Sequence, residues 1–195
     1  MATTKHNYTP SINIVRDSEI DFNYIATPNA TSIFGLLGAD ALTGIKAHII
    51  IGAYGIGKSS FLLALQNTIS HKKNHFKEFD KLTKQLPAFE FINIVGDYTS
   101  FIETVGNEFG IKGKGISAKE VIKAVKHKYE SLEKKKKGLA IIVDEFGKFL
   151  EYAASNKPEA ELYFIQQLAE LVNTQDKELI LVCTLHQSFN SYSVG

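Results

Sequence analysis

The sequence predicts a three-layer α/β fold around a mostly parallel sheet. Three observations carry that reading. Four short apolar runs rich in β-branched residues, at 46–52, 89–95, 139–143 and 179–184, alternate with stretches of helical periodicity. The first run passes straight into a glycine-rich turn that opens a helix, and the third ends in two adjacent carboxylates, Asp144 and Glu145. Both features belong at the carboxyl ends of parallel strands, where an open α/β sheet keeps its ligand crevice.

Taken in order, residues 12–15 read as a short strand and Thr27-Pro28-Asn29 as a turn, followed by a helix over 32–41 with Ser32 as its cap. The run at 46–52 reads as a buried strand. Residues 58–70 have helical spacing, with Phe61, Leu62, Leu65 and Ile69 on one face. The polar, lysine-rich stretch after them reads as a further helix to residue 86, closed by Pro87. Strand 89–95 follows, then helices over 99–109 and 117–137 separated by the glycine loop at 110–115. Strand 139–143, helices at 146–154 and 158–172, and strand 179–184 complete the pattern, with Pro158 in the favoured first helical turn.

Composition narrows the class without choosing a function. The chain has 195 residues, 44% of them apolar and 22% charged, as ordinary globular proteins do. A net charge of +1 supplies no global argument for nucleic acid or for an acidic membrane. Cys183 is the sole cysteine, which excludes an intrachain disulfide, and its apolar run marks it as a buried hydrophobe rather than a reactive thiol. The first ten residues lack the apolar core of a signal peptide, and no apolar run reaches the roughly eighteen residues of a membrane span. A cytoplasmic location without a membrane partner is therefore expected. Arg16 is the only arginine in the chain, an economy that matters for any phosphoryl-transfer chemistry.

The glycine-rich turn, Gly-Ala-Tyr-Gly-Ile-Gly-Lys-Ser at 52–59, satisfies every fixed position of the G-x-x-x-x-G-K-[ST] pattern in its required strand-to-helix setting. Glycines let successive backbone N–H groups turn inward around an anion, and the helix N-terminus adds favourable dipole charge. Lys58 is expected to reach the β- and γ-phosphates of a nucleotide and Ser59 to ligate Mg²⁺. Gly52, Tyr54, Gly55, Ile56, Gly57, Lys58, Ser59 and Ser60 form the candidate nucleotide-binding set. In the Leu-Ala-Ile-Ile-Val-Asp-Glu run ending at 145, Asp144 is the second candidate Mg²⁺ residue, and Glu145 the candidate that polarises the attacking water. The strand at 179–184 runs into Leu185-His186-Gln187, so His186 and Gln187, with Thr184 behind them, are candidates for contact with the γ-phosphate or the water; a merely solvated strand end is the competing reading. Phe146, Phe149, Leu150 and Ala153 read as core packing, with Gly147 permitting a close approach.

On these three elements the sequence resembles the AAA+ and STAND branch of the ASCE P-loop ATPases, of initiator or bacterial-defence type. The likeness covers about residues 20–190 and rests on motif order and spacing. It implies a 5-1-4-3-2 strand order, a Walker A loop after strand 1, a Walker B strand 3 and a sensor 1 position at the end of strand 4. It also implies that residues 1–30 form an N-terminal segment in which Tyr24 and Ile25 contact adenine, ahead of a P-loop core at 31–195; an ordinary extension crossing the core is the competing reading. The pattern departs from the family in two ways: a fifth strand and helical lid are missing, and no arginine lies late in the core. The expectation is the N-terminal part of a longer protein, with the finger arginine supplied by another copy or another protein in an oligomer.

The resulting expectation is Mg²⁺-dependent binding and slow hydrolysis of ATP, coupled to conformational change in a larger assembly. The alternative is a nucleotide-gated interaction module that binds ATP with little hydrolysis. The chain lacks the N-K-x-D of GTPases and the L-S-G-G-Q of ABC ATPases, and a single arginine argues against a nucleotide kinase. Lys112, Lys114 and the 134–137 run are local basic features. Such a run between helix and strand is ordinarily a solvated turn, so nucleic acid stays an open partner.

Overall fold

The computed structural model describes residues 12–113, 115–156, 158–174 and 178–192. Residues 12–15 do not form a strand. Asn13 Oδ1 accepts the N–H groups of Val15 and Arg16, both at 3.0 Å, and folds the chain into turns that run to residue 19. Ile14 is nevertheless fully buried and plugs one side of the core. Pro28 likewise opens a helix rather than a turn: α1 spans Pro28–Leu42, with Thr27 as cap, its hydroxyl accepting the Ala30 N–H at 3.2 Å. Proline at the first helical position, behind a threonine, starts the helix before Ser32 is reached.

Strand β1 (Ala47–Ile51) leads through the glycine loop to α2 (Lys58–Ile69), which is buried along nearly its whole length. The polar stretch that follows is mostly irregular. His71, with φ of 61°, turns the chain away from α2, and Asn74 accepts from the Phe76 N–H and donates to Asp80. These local bonds leave only a 3-10 turn, Lys77–Phe79, and the single-turn α3, Asp80–Thr83. Then come β2 (Ala88–Val95), α4 (Phe101–Glu108), α5 (Ala118–Glu133), β3 (Lys137–Asp144), α6 (Gly147–Ser155), α7 (Pro158–Thr174), β4 (Leu179–Leu185) and a 3-10 turn, Phe189–Tyr192. Ser117 and Glu120 make a capping box that sets the start of α5. Helix α4 begins where the buried Glu161 of α7 accepts the Ser100 hydroxyl at 2.5 Å and the N–H groups of Phe101 and Ile102.

The four strands are all parallel and lie in the order β1-β4-β3-β2. That is the expected order with no fifth strand among the described residues. Alternation along β3 divides the core. Leu139, Ile141 and Val143 face α4, α5, α6 and α7, while Ala140 and Ile142 face α1 and α2. β3 is buried from its second residue to its last, as a central parallel strand must be. β1 is different. Among the described residues it pairs only with β4 and forms the sheet's edge, so Ile49 and Ile51 remain 44% and 54% exposed instead of buried. No helix among the described residues is long and apolar enough to cross a membrane.

Candidate functional site

The 52–59 loop begins where the Gly52 N–H donates to Leu185 O at 3.1 Å, which ties the end of β1 to the end of β4. Gly55 and Gly57 adopt φ of 77° and 91°, and nothing lies where a Cβ would project. The constraint is conformational, since side chains rarely tolerate this left-handed backbone. Gly57 is also the N-cap of α2, so no side chain occupies that helix end and its first N–H groups stay available to an anion. Ser59 and Ser60 sit half-buried in the first turn.

Lys58 is turned along the loop. Its ammonium donates to Gly52 O at 2.6 Å and to Ala53 O at 2.9 Å, and lies 3.2 Å from His186 Nδ1. The His186 ring stacks on Tyr54, with centroids 3.4 Å apart and planes at 18°, and the ammonium is 5.9 Å from the Tyr54 ring centre. Burial lowers the Lys58 pKa, opposed by the charges of Asp144 and Glu145. Burial also lowers that of His186, followed by the nearby Lys58 charge. A neutral His186 that accepts from Lys58 through Nδ1 carries its proton on Nε2, and that atom is buried without a hydrogen-bond partner among the described residues.

The second half of the site is built on β3 and β4. Asp144 ends β3 and is 4% exposed. Thr184, fully buried on β4, donates its hydroxyl to Asp144 Oδ1 at 2.5 Å. The same hydroxyl accepts the Glu145 N–H at 3.1 Å, and the Phe146 N–H donates to Thr184 O at 3.0 Å. Glu145 has φ of 53°, which turns the chain sharply off the strand and leaves its carboxylate half-exposed. One carboxylate oxygen lies 3.6 Å from Lys148 Nζ. From the other side, the Gly96 N–H donates to Asp144 O at 2.7 Å, and a Cβ on Gly96 would stand 2.0 Å from Glu145 O. Gly96 is therefore glycine because two strand ends cross there.

The structure thus brings Lys58, Tyr54, His186, Asp144, Glu145 and the loop glycines to the carboxyl ends of β1, β3 and β4. Gln187 is exposed just past β4, and Ile56 and Ile25 are 62% and 86% exposed. Tyr24 packs half-buried on His75 and Phe76, and Phe76 meets Phe61 in the first turns of α2. Arg16 is engaged with its neighbour Asp17. Gly147 does permit a close approach, by the Tyr192 side chain: its hydroxyl oxygen would lie 2.4 Å from an added Cβ. Sequence reasoning missed Gly96 and Lys148 at the site. Gly96, just past an apolar strand, was the one readable signal.

Among the described residues no three His, Cys, Asp or Glu side chains cluster as a metal cage. The donors present, the Ser59 hydroxyl and the buried Asp144 carboxylate, fit the Mg²⁺ habit of taking one or two protein ligands plus substrate phosphates.

No protein-family model matches the sequence, and no curated protein matches it either. Solved structures do. PCH-2 of C. elegans superimposes with a TM-score of 0.53 at 14% identity, over 85% of this chain and 40% of that one. The ORC2 protein of Aeropyrum pernix, solved in ADPNP-ADP complexes, gives 0.53 at 17% identity, over 89% of this chain and 48% of that one. What the chain shares with both is the fold, a parallel α/β sheet flanked by helices. Identity this low makes the likeness one of fold, and the chain spans less than half the length of either solved chain.

Proposed function

We propose that this chain binds Mg·ATP at the carboxyl ends of its strands and hydrolyses it slowly, as the engine of a larger protein or assembly. The observation that carries this reading is the convergence of the 52–59 loop, the Asp144-Glu145 pair and His186 at one end of the sheet, close enough for the two carboxylates to act on Lys58 and His186. The loop amides and Lys58 neutralise the phosphates, and Ser59 and Asp144 hold the metal, which adds charge neutralisation when bound with the nucleotide. Glu145 takes the role of orienting water for in-line attack. His186 offers its unpartnered Nε2–H to the terminal phosphate, with Gln187 beside it on the turn. Tyr24 and Ile25 remain the proposed adenine contacts. The ADPNP-ADP complexes of the A. pernix ORC2 protein support a nucleotide as the ligand of this fold.

Two variants test the reading. Lys58→Ala should abolish ATP binding in calorimetry, and Glu145→Gln should retain binding while steady-state hydrolysis disappears. Unchanged affinity in the first variant would refute the phosphate site.

A second reading, a nucleotide-gated module with little turnover, is favoured by two observations. Lys148 stands 3.6 Å from the Glu145 carboxylate, and Arg16 is engaged with Asp17, on the turn that precedes α1. A finger arginine would then come from another copy or another protein. Glu145-independent nucleotide binding with no turnover, even in the full assembly, would select this second reading.

A further inference from the structure

Helix α5 has two unlike faces. Val121, Val125, Tyr129 and Leu132 are buried against β3 and its neighbouring helices. On the opposite side Lys119, Lys123 and Lys126 are exposed at i, i+4 and i+7, and the line continues through Lys134 into the exposed 134–137 run. From 119 to 137 there are eight lysines against three glutamates, an excess of five positive charges. The rest of the chain carries 14 basic against 18 acidic residues, so the overall charge of +1 conceals a strong local asymmetry. Among the described residues two of the eight lysines have acidic partners, Lys126 with Glu130 at 4.0 Å and Lys128 with Glu90. Lys114 lies outside the described residues.

We propose that this lysine face of α5 and the turn after it docks the phosphate backbone of a double-helical nucleic acid. From Lys119 to Lys134 the helix rises about 22 Å, which matches some six phosphate steps along one strand of a duplex. No large apolar side chain among the described residues is exposed between 112 and 137. That removes the anchor an amphipathic membrane helix needs, and the aromatic platforms that hold single strands. Lysine as a compact point charge, without arginine, glutamine or asparagine along the face, suits charge neutralisation at phosphates more than bidentate base readout. The site is independent of the nucleotide crevice: the 134–137 run precedes or opens β3, and Asp144 closes it, about 23 Å away along an eight-residue strand.

The test is fluorescence anisotropy of labelled DNA and RNA duplexes of about 20 base pairs, titrated with the protein between roughly 50 and 200 mM salt. With about five lysines engaged, the log–log salt slope should be near −4.5, a several-hundred-fold loss of affinity over that range. Lys123→Gln/Lys134→Gln/Lys135→Gln should shrink the slope by about 2.7. Lys136, with φ of 56°, is left untouched so that the turn keeps its conformation. Binding of either duplex with that slope supports the proposal, and their ratio tells which nucleic acid is preferred. Absence of binding at the lowest salt, or a slope that the triple variant leaves unchanged, overturns it. Equal competition by a polyglutamate peptide also overturns it, in favour of an acidic protein partner. Lys58→Ala should bind the duplex as the wild type does, so failure of the ATP reading and failure of this one give different results.

Discussion

Replacing Thr184 with valine removes a single hydroxyl from a fully buried position and keeps the branching and size of the side chain. No cavity is created, so the cost reports the hydrogen bonds alone. The hydroxyl donates to the Asp144 carboxylate at 2.5 Å and accepts the Glu145 N–H at 3.1 Å. A hydrogen bond to a charged group contributes about 1.5–3 kcal/mol, and Asp144 Oδ1 keeps the Glu145 N–H as its remaining partner at 3.1 Å. We expect a loss of about 2–3 kcal/mol, or roughly 5–10 °C in Tm for a chain of this size. Thr184→Ser keeps the hydroxyl and should recover most of the difference. Circular dichroism melts of the three proteins provide the comparison. In the same variants ATP hydrolysis should fall about tenfold or more as the Asp144-Glu145 turn loosens, while nucleotide affinity changes far less, since Lys58 and the loop amides are untouched. A valine variant that melts within about 1–2 °C of wild type would show that Thr184 does not hold this turn.

Three further outcomes are expected. Gly96→Ala should destabilise the protein by about 1–3 kcal/mol and depress hydrolysis, because its Cβ meets Glu145 O at 2.0 Å; urea titration with an unaltered midpoint would contradict the crossing of the strand ends. His48, His75 and His186 all have pKa values lowered, foremost by burial. Below the unfolded value near 6.5 the unfolded chain binds more protons than the folded one, so their contribution to stability is full above that pH and is lost as the pH falls through the folded values. Thermal melts at about pH 7.5, 6.5 and 5.5 should decline in that order, and a melting point that rises on acidification would reverse the sign. Finally, burial raises the Cys183 thiol far above its ordinary pKa, so a disulfide reagent should label it only as fast as the protein unfolds.

The strand-helix alternation was readable because each β-strand of a covered parallel sheet must be apolar on both faces, and β3 and β4 are so along nearly their whole length. The 27–29 segment misled because proline signals both turn and helix start, and only the Thr27 cap separates them. At 71–86 side-chain bonds from Asn74 competed with the helix that composition suggested. The exposure of Ile49 and Ile51 was not readable at all, since nothing in a β-branched run tells an edge strand from a central one.

By itself the sequence determined what is local: a glycine loop that can wrap an anion, a lysine and serine at its helical end, and two carboxylates closing an apolar strand. Only the tertiary structure decided which residues meet them. Thr184 reaches Asp144 across 40 residues and His186 reaches Lys58 across 128. Those meetings follow from the β1-β4-β3 order of the sheet, which sets the end of β4 between the phosphate loop and the acidic pair. Spacing along a chain encodes a loop or a helix face because the backbone geometry there repeats. It does not encode which strands become neighbours, because that is settled by how the whole core packs.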